Sequence, residues 1–585
     1  LVANFNGRCH MNLLNVMLFS ICNQLVKNPK TMSMVQDLMK KGAVEELKKC
    51  FSSRMEFGTA GLRAAMGPGI SCMNDLTIIQ TTQGFCQYLE KSFGNLKERG
   101  VVIGYDARAH PPSGGSSKRF ASLASAVFVS RGVPVHLFSD ITPTPFVVYW
   151  ENGAQIVSPH DKGISKAIEE NLEPWPESWN TEEALKSSLL KDPYQDINTQ
   201  YFKAIQKHCH HREINKSSEV KIVHTSVHGV GHAFVQSAFK AFDLHPPYAV
   251  EEQKDPDPEF PTVKYPNPEE GEGVLTLSFA LAEKEGATVV LANDPDADRL
   301  AMAEKQESGQ WRVFTGNELG ALLGWWVFHC WKQQNSDAGA VKNLYMLSST
   351  VSSKILRAIA LKEGFHFEET LTGFKWMGNR ARDLLDQGKT VLFAFEEAIG
   401  YMCSPSVLDK DGVSAAAIAG EMISYLATTN TSLSQKLAGI FEEYGYHISK
   451  NSYFICHDQD VIRSLFERLR NYSGKKDSYP VECGRFSISA VRDLTTGYDS
   501  NQPDNKAILP TSSSSQMITF TFSNGGVATM RTSGTEPKIK YYTELCTAPG
   551  NSDVTSLKKE LDELVDAIVE NFFEPQKNKL QPKPE

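Results

Sequence analysis

The chain has 585 residues, 41% apolar and 22% charged, with a net charge of −9. That length exceeds one hydrophobic core and implies about four domains of an ordinary globular protein. The acidic balance, with no long basic run, argues against nucleic acid as a partner. The 11 scattered Cys, odd in number and lacking a C-x-x-C pair, suit reduced thiols in the cytosol better than disulfides.

The chain starts at Leu1 rather than Met, which reads as an incomplete start. The apolar patch Val16-Met-Leu-Phe-Ser-Ile-Cys22 is too short to span a bilayer, and no small-residue cleavage site follows it. No membrane association is expected, and residues 1–27 receive no function. Residues 32–50 carry apolar side chains at helical spacing and predict one helix. Glu56-Phe-Gly-Thr-Ala-Gly-Leu-Arg63 comes next. Its glycines allow backbone amides to approach an anion and Arg63 adds fixed charge, although a plain Gly-rich turn has the same composition.

Residues 101–105 read as a strand ending at Asp106 and Arg108, residues 116–131 as a helix and residues 133–138 as the next strand. This β-α-β rhythm predicts a parallel sheet of α/β class. Thr142-Pro143-Thr144-Pro145 then looks like a helix opening. No helical pattern follows it; Phe146-Val147-Val148-Tyr149-Trp150 runs straight into Glu151-Asn152-Gly153. Ser158-Pro159-His160 lies just downstream. The tract His208-Cys209-His210-His211 places neighbours on different sides of any element and reads as a solvated helix end rather than a metal site.

A second α/β unit opens with the strand-like residues 219–224. His224, His228 and His232 are four apart, but Gly229 and Gly231 interrupt a single helix there, so turn and packing roles are expected. The Pro-rich residues 255–268 read as a loop. Residues 288–292 then form a short β-branched run that empties into Asp294, Asp296 and Asp298. Carboxylates at i, i+2 and i+4 repel one another unless they share a hard cation. The carboxyl end of a buried strand is where α/β proteins place ligands. A Mg²⁺ site is therefore expected, the plain alternative being an acidic surface turn.

A third unit begins near Phe314. It contains the strand-like residues 344–348 and Gly373-Phe-Lys-Trp-Met-Gly378. Lys375 between two aromatics is either partly desolvated, with proton-transfer character, or a snorkelling surface Lys. Residues 391–395 form another apolar strand delivering Glu396 and Glu397, paired carboxylates able to accept hydrogen bonds from sugar hydroxyls. The last region opens near Tyr446. It carries a predicted hairpin with a Gly-rich turn, whose second strand ends in Arg531, Ser533, Gly534 and Thr535. Hydroxyls, amides around a Gly and a guanidinium make a phosphate cradle. Residues 553–572 read as a closing amphipathic helix.

Four stretches in this order resemble the phosphohexomutases, the phosphoglucomutase and phosphomannomutase superfamily. They are the Glu56–Arg63 signature, the Asp294–Arg299 loop, Phe395-Glu-Glu-Ala-Ile-Gly400 and Arg531-Thr-Ser-Gly-Thr-Glu536. Gly373–Gly378 and Thr225-Ser-Val-His-Gly229 resemble its animal phosphopentomutase branch most. The resemblance implies three similar α/β domains and a smaller α+β C-terminal domain, at residues 28–205, 206–320, 321–445 and 446–585. It implies a mutase cycle in which a phosphoserine exchanges phosphoryl groups with a sugar phosphate through a sugar bisphosphate, with Mg²⁺ as cofactor. It gives Lys375 and Arg63 catalytic positions. It gives Glu396, Glu397, Arg531, Ser533, Gly534 and Thr535 to the substrate, and Asp294, Asp296 and Asp298 to the metal. Ribose 1-phosphate and deoxyribose 1-phosphate are the implied substrates, with glucose 1-phosphate a poorer one; nothing fixes the oligomeric state.

The sequence departs from the family at two places. The hexose enzymes carry Ser where this chain has Ala398, which removes one hydroxyl partner and is expected to tilt preference towards pentoses. The family also follows its Thr-Pro stretch with a helix, a central strand and a Thr-Ala-Ser-His-Asn-Pro loop bearing the phosphoserine, and no Ser-His-Asn occurs here. The expectation is an inactive chain with a damaged first domain. The alternatives are a non-catalytic sugar-phosphate-binding protein, a glucose-1,6-bisphosphate synthase-like enzyme or a Mg²⁺-dependent phosphatase.

Overall fold

A computed structural model describes residues 27–147, 150–270, 272–337, 339–513, 515–533, 537–551 and 553–583. The chain divides into two compact units. One holds the described residues up to Arg212 with Lys221–Leu300 and Asp411–Ala417; the other holds Glu213–Val220, Ala301–Lys410 and the described residues from Ile418.

In the first unit the expected single helix over residues 32–50 is two, Pro29–Lys40 and Val44–Phe51. The break falls at Gly42, whose φ of +63 lies in the left-handed region that only Gly adopts freely. Asn28 caps the first helix by accepting from the Lys30 and Thr31 amides. The following sheet has three parallel strands ordered Val101–Ile103, Val135–Leu137 and Leu190–Lys191. Helices Asp75–Ser92 and Ser117–Ser130 supply much of its core, through Ile79, Cys86, Leu123 and Val127. Among the described residues no α-helix begins directly after the Thr-Pro stretch, and the next is His160–Glu169. A single 3-10 turn, Thr144–Phe146, leads to Val147, and the next two residues lie outside the described set.

The join is nevertheless anchored on both sides. Phe146 is buried, with ring centroids 4.1 Å from Tyr201 and 5.0 Å from Phe234. Trp150 lies 4.4 Å from His160 and 5.1 Å from Phe93. In the sheet itself Val102, in an edge strand, is 42% exposed. Further along this unit, Ile222–Thr225 runs parallel to Tyr248–Ala249 and to Val289–Asn293, all five residues of the last being buried.

In the second unit a four-stranded sheet is ordered His366–Thr370, Leu344–Ser349, Thr390–Glu396 and Gly400–Met402. The first three strands are parallel and the last is antiparallel. The C-terminal region is α+β. An antiparallel sheet is ordered Phe486–Asp493, Met517–Phe522, Val527–Thr532, Lys538–Cys546 and His447–Ile455. Helices Gln459–Arg470 and Val554–Ile568 pack over its apolar face. The expected hairpin is present, with Met517 opposite Arg531. Among the described residues no helix is long and apolar enough to cross a membrane, and the nine described cysteines are free.

Candidate active site

The first unit holds the acidic loop. Strand Val289–Asn293 ends against it, and the loop is fixed from several sides before any ligand is considered. His224, buried in the adjoining strand, lies with Nε2 2.8 Å from Asn293 Oδ1, and Asn293 Nδ2 donates to the Arg299 carbonyl at 2.6 Å. The Arg299 amide donates to Asp294 Oδ1 at 3.0 Å. Ala297 is fully buried in the left-handed region, at φ +56. Backbones press closely on the loop. A Cβ on Gly229 would stand 2.2 Å from Pro295 Cα, and one on Gly412 2.3 Å from the Arg299 carbonyl oxygen. His224 and His228, which bonds Thr262 at 2.7 Å, do have the expected packing and turn roles.

Asp294, Asp296 and Asp298 all lie on this loop, half-buried to buried. Burial, followed by repulsion from Asp298 and Asp296, pushes Asp294 up to about 8. Burial also raises Asp296, against the pull of Arg108. Carboxyls raised in this way, as Asp294 and Asp296 are, are the kind of oxygen donor that a hard dication relieves. Arg108 reaches Asp296 at 2.7 Å and also pairs with Asp106. Sequence reasoning gave Arg108 no role. The available signal was its place just past the carboxyl end of a parallel strand. Arg63 lies in the same unit, exposed, just after the tight turn in which Gly58 and Gly61 bond each other's backbones.

Ser158, the nearest Ser-x-His mimic, donates to Asp161 at 2.8 Å, while its His160 stacks on Trp150 and bonds the Tyr88 hydroxyl at 2.9 Å. These are packing roles. The tract from His208 to His211 is half-buried at a helix end, less solvated than expected, and burial lowers His208 to about 4.

The second unit holds the remaining candidates. Strand Thr390–Glu396 delivers Glu396 and Glu397 to its end as expected. Glu397 is tightly seated: Ser349 and Ser352 donate to its Oε2 at 3.2 and 3.1 Å, and its amide donates to Ser352 Oγ at 3.0 Å. A Cβ on Gly316 would fall 1.9 Å from the Glu397 carbonyl oxygen. Both serines come from the neighbouring parallel strand and its turn, and sequence reading singled out neither. Lys375 is the second residue of helix Phe374–Asp386, with Phe374 buried in the core and Nζ 5.5 Å from the Trp376 ring centroid. Arg531 ends its strand half-buried. One terminal nitrogen donates to the Tyr542 hydroxyl at 3.1 Å, and its Nε is buried without an acceptor among the described residues. The Ser533 amide donates to the Lys538 carbonyl at 2.9 Å. Gly534 and Thr535 lie outside the described residues.

Family models named phosphoglucomutase/phosphomannomutase alpha/beta/alpha domain I, II and III match residues 54–150, 199–309 and 315–444. The chain belongs to the phosphoglucomutase/phosphomannomutase family. Phosphopentomutase of Homo sapiens is 70% identical over 585 residues, covering 95% of both chains. Glucose 1,6-bisphosphate synthase of Homo sapiens is 58% identical over 582 residues, covering 95% of this chain and 93% of its own. Among solved structures, the open form of parafusin, a phosphoglucomutase from Paramecium, matches with a TM-score of 0.61 at 16% identity. That match covers 90% of this chain and 96% of the other and is a likeness of fold. The family is one of sugar-phosphate mutases, and the fold class expected from the sequence is the one observed.

Proposed function

We propose that this chain grips pentose phosphates as a phosphopentomutase does but does not complete the mutase cycle. One observation carries the reading: the chain passes from a single turn at Thr144–Phe146 into the segment after Trp150, with no Ser-His-Asn anywhere in its sequence. Seventy per cent identity to phosphopentomutase supports ribose 1-phosphate and deoxyribose 1-phosphate as ligands, with glucose 1-phosphate weaker. That alignment runs over 585 positions but uses 95% of this chain, so part of the relative has no counterpart here.

The roles follow from chemistry. Asp294, Asp296 and Asp298 would hold Mg²⁺, which when bound supplies charge neutralisation at a phosphoryl group. Glu396 and Glu397 accept hydrogen bonds from sugar hydroxyls, Glu397 from a position already set by Ser349 and Ser352. Arg531, whose Nε has no acceptor among the described residues, and Ser533, Gly534 and Thr535 bind the phosphate that does not react. Arg63 and Lys375 supply charge, and Lys375 a proton. No side chain here takes the phosphoryl group in transit.

Incubation with a labelled sugar bisphosphate tests the reading. Retention without a covalent label supports it. A phosphoprotein means a working mutase and sinks it, and released inorganic phosphate means a phosphatase. The other enzymatic reading is glucose 1,6-bisphosphate synthesis, favoured only by the 58% identity to that relative, and it also requires the phosphoprotein.

A further inference from the structure

The C-terminal sheet carries a second cluster of ligand-bearing side chains. Strand His447–Ile455 runs antiparallel to Lys538–Cys546 with His447 directly opposite Cys546. Ser449 is opposite Glu544, so positions 447, 449, 544 and 546 share one face of the sheet. On that face a ring nitrogen of His447, a carboxylate oxygen of Glu544 and Sγ of Cys546 all lie within 4.8 Å of one another. We propose that His447, Glu544 and Cys546 form a binding site for a borderline-soft divalent cation of the Zn²⁺ class, with water as the fourth ligand.

Geometry and donor chemistry agree. Ligand atoms on a tetrahedral ion with bonds of about 2.2 Å stand about 3.6 Å apart. Cys546 Sγ is 3.7 Å from Glu544 Oε1, so that edge is already in place. Two of the three ligands are held by outer partners of the kind that orient metal ligands. His447 Nδ1 lies 2.9 Å from the Gly445 carbonyl, which fixes the proton there and leaves Nε2 as the base. Glu544 accepts from the Lys354 amide at 2.8 Å and from Ser449 Oγ at 3.2 Å. His447 and Cys546 are half-buried and Glu544 is buried, so an ion has an approach from solvent but few competing waters. A mixed nitrogen, oxygen and thiolate set selects Zn²⁺ over Mg²⁺, which prefers all-oxygen octahedral sites.

Binding requires the thiol to ionise: the S–H bond breaks, the proton passes to solvent and the sulfur lone pair forms the metal bond. Burial and the Glu544 carboxylate hold the free thiol strongly protonated, while Lys354 and Arg357 nearby favour the thiolate. Lys354 is itself ion-paired to Glu369 at 2.9 Å, which blunts its repulsion of a cation.

Co²⁺ titration of the whole chain is the test, because Co²⁺ replaces Zn²⁺ and reports a thiolate ligand by its charge-transfer absorption. One equivalent should produce that band together with tetrahedral visible bands, and Zn²⁺ should abolish both. Cys546→Ser should remove the charge-transfer band, and His447→Gln should weaken binding at least about tenfold. In the unaltered chain, Zn²⁺ should slow alkylation of Cys546 while leaving the half-buried Cys209 unchanged. Absence of a thiolate band in the folded chain, its persistence in Cys546→Ser, or equal protection of both thiols would overturn the site.

Discussion

The first and third α/β regions start from similar sequence and end differently. Val101–Ile103 and Leu344–Ser349 are both apolar opening strands of a parallel sheet. Leu344–Ser349 has parallel partners on both sides and is almost wholly buried. Val101–Ile103 is paired to Val135–Leu137 alone among the described residues, and its central Val is exposed. The lesson is that burial of a strand is a property of its neighbours. The helices, loops and flanking aromatics of the first region pack although its opening strand has a single partner among the described residues.

The strongest way to break this comparison is to supply the missing piece. A helix, strand and serine loop of the family inserted between Val147 and Val148 should raise pentose-phosphate interconversion more than about 10³-fold over the unaltered chain. It should also slow hydrogen exchange at residues 101–103. Unaltered protein that interconverts pentose phosphates at the rate of a full-length relative would end the comparison.

The next test asks what holds the complete sheet. Glu369, in the strand beside Leu344–Ser349, is ion-paired to Lys354 at 2.9 Å and Arg492 at 3.2 Å and accepts from Thr350 at 3.1 Å. Burial alone would raise its pKa; the two cations outweigh it and hold the carboxyl down at about 2. A carboxyl depressed in the folded state stabilises above its unfolded value of 4.5, and that contribution is lost as pH falls towards 2. Glu369→Gln should therefore cost about 3 kcal/mol at neutral pH, with the two proteins converging in denaturant titrations across that window.

The acidic loop makes the opposite prediction in the same terms. Asp294→Asn should raise the melting temperature of metal-free protein at neutral pH, because burial first and neighbouring carboxylates second make the folded chain disfavour the anion that the unfolded chain carries, and should abolish the gain from Mg²⁺. In the parent chain that gain should reach about 2.7 kcal/mol at a hundred times Kd. Arg531→Ala should weaken ribose 1-phosphate binding about tenfold, or ~1.4 kcal/mol by calorimetry. Smallest of all, Val102→Lys should shift stability by less than about 0.5 kcal/mol while lowering aggregation of an open sheet edge.

Much of this was legible in the sequence because the signals are local. A β-branched run ending in alternating Asp, paired Glu after an apolar strand and an Arg at the end of a hairpin each announce an element and its terminus together. What stayed hidden was set by distant partners. Ser349 and Ser352 are unremarkable until a neighbouring strand brings Glu397 beside them, and Arg108 gains meaning only through Asp296. The helix over residues 32–50 was misjudged because its apolar spacing continues past Gly42, whose left-handed backbone divides it.

The close seat of the Glu397 carbonyl above Gly316 has a consequence for how this loop can vary. Gly316 opens the helix Gly316–Gln334, whose first turn acts as a rigid floor, and any larger residue there would displace the loop as a body. Variation beside Glu397 is thereby channelled into exchanging side chains on an immovable frame, as at Ala398, rather than into reshaping the frame.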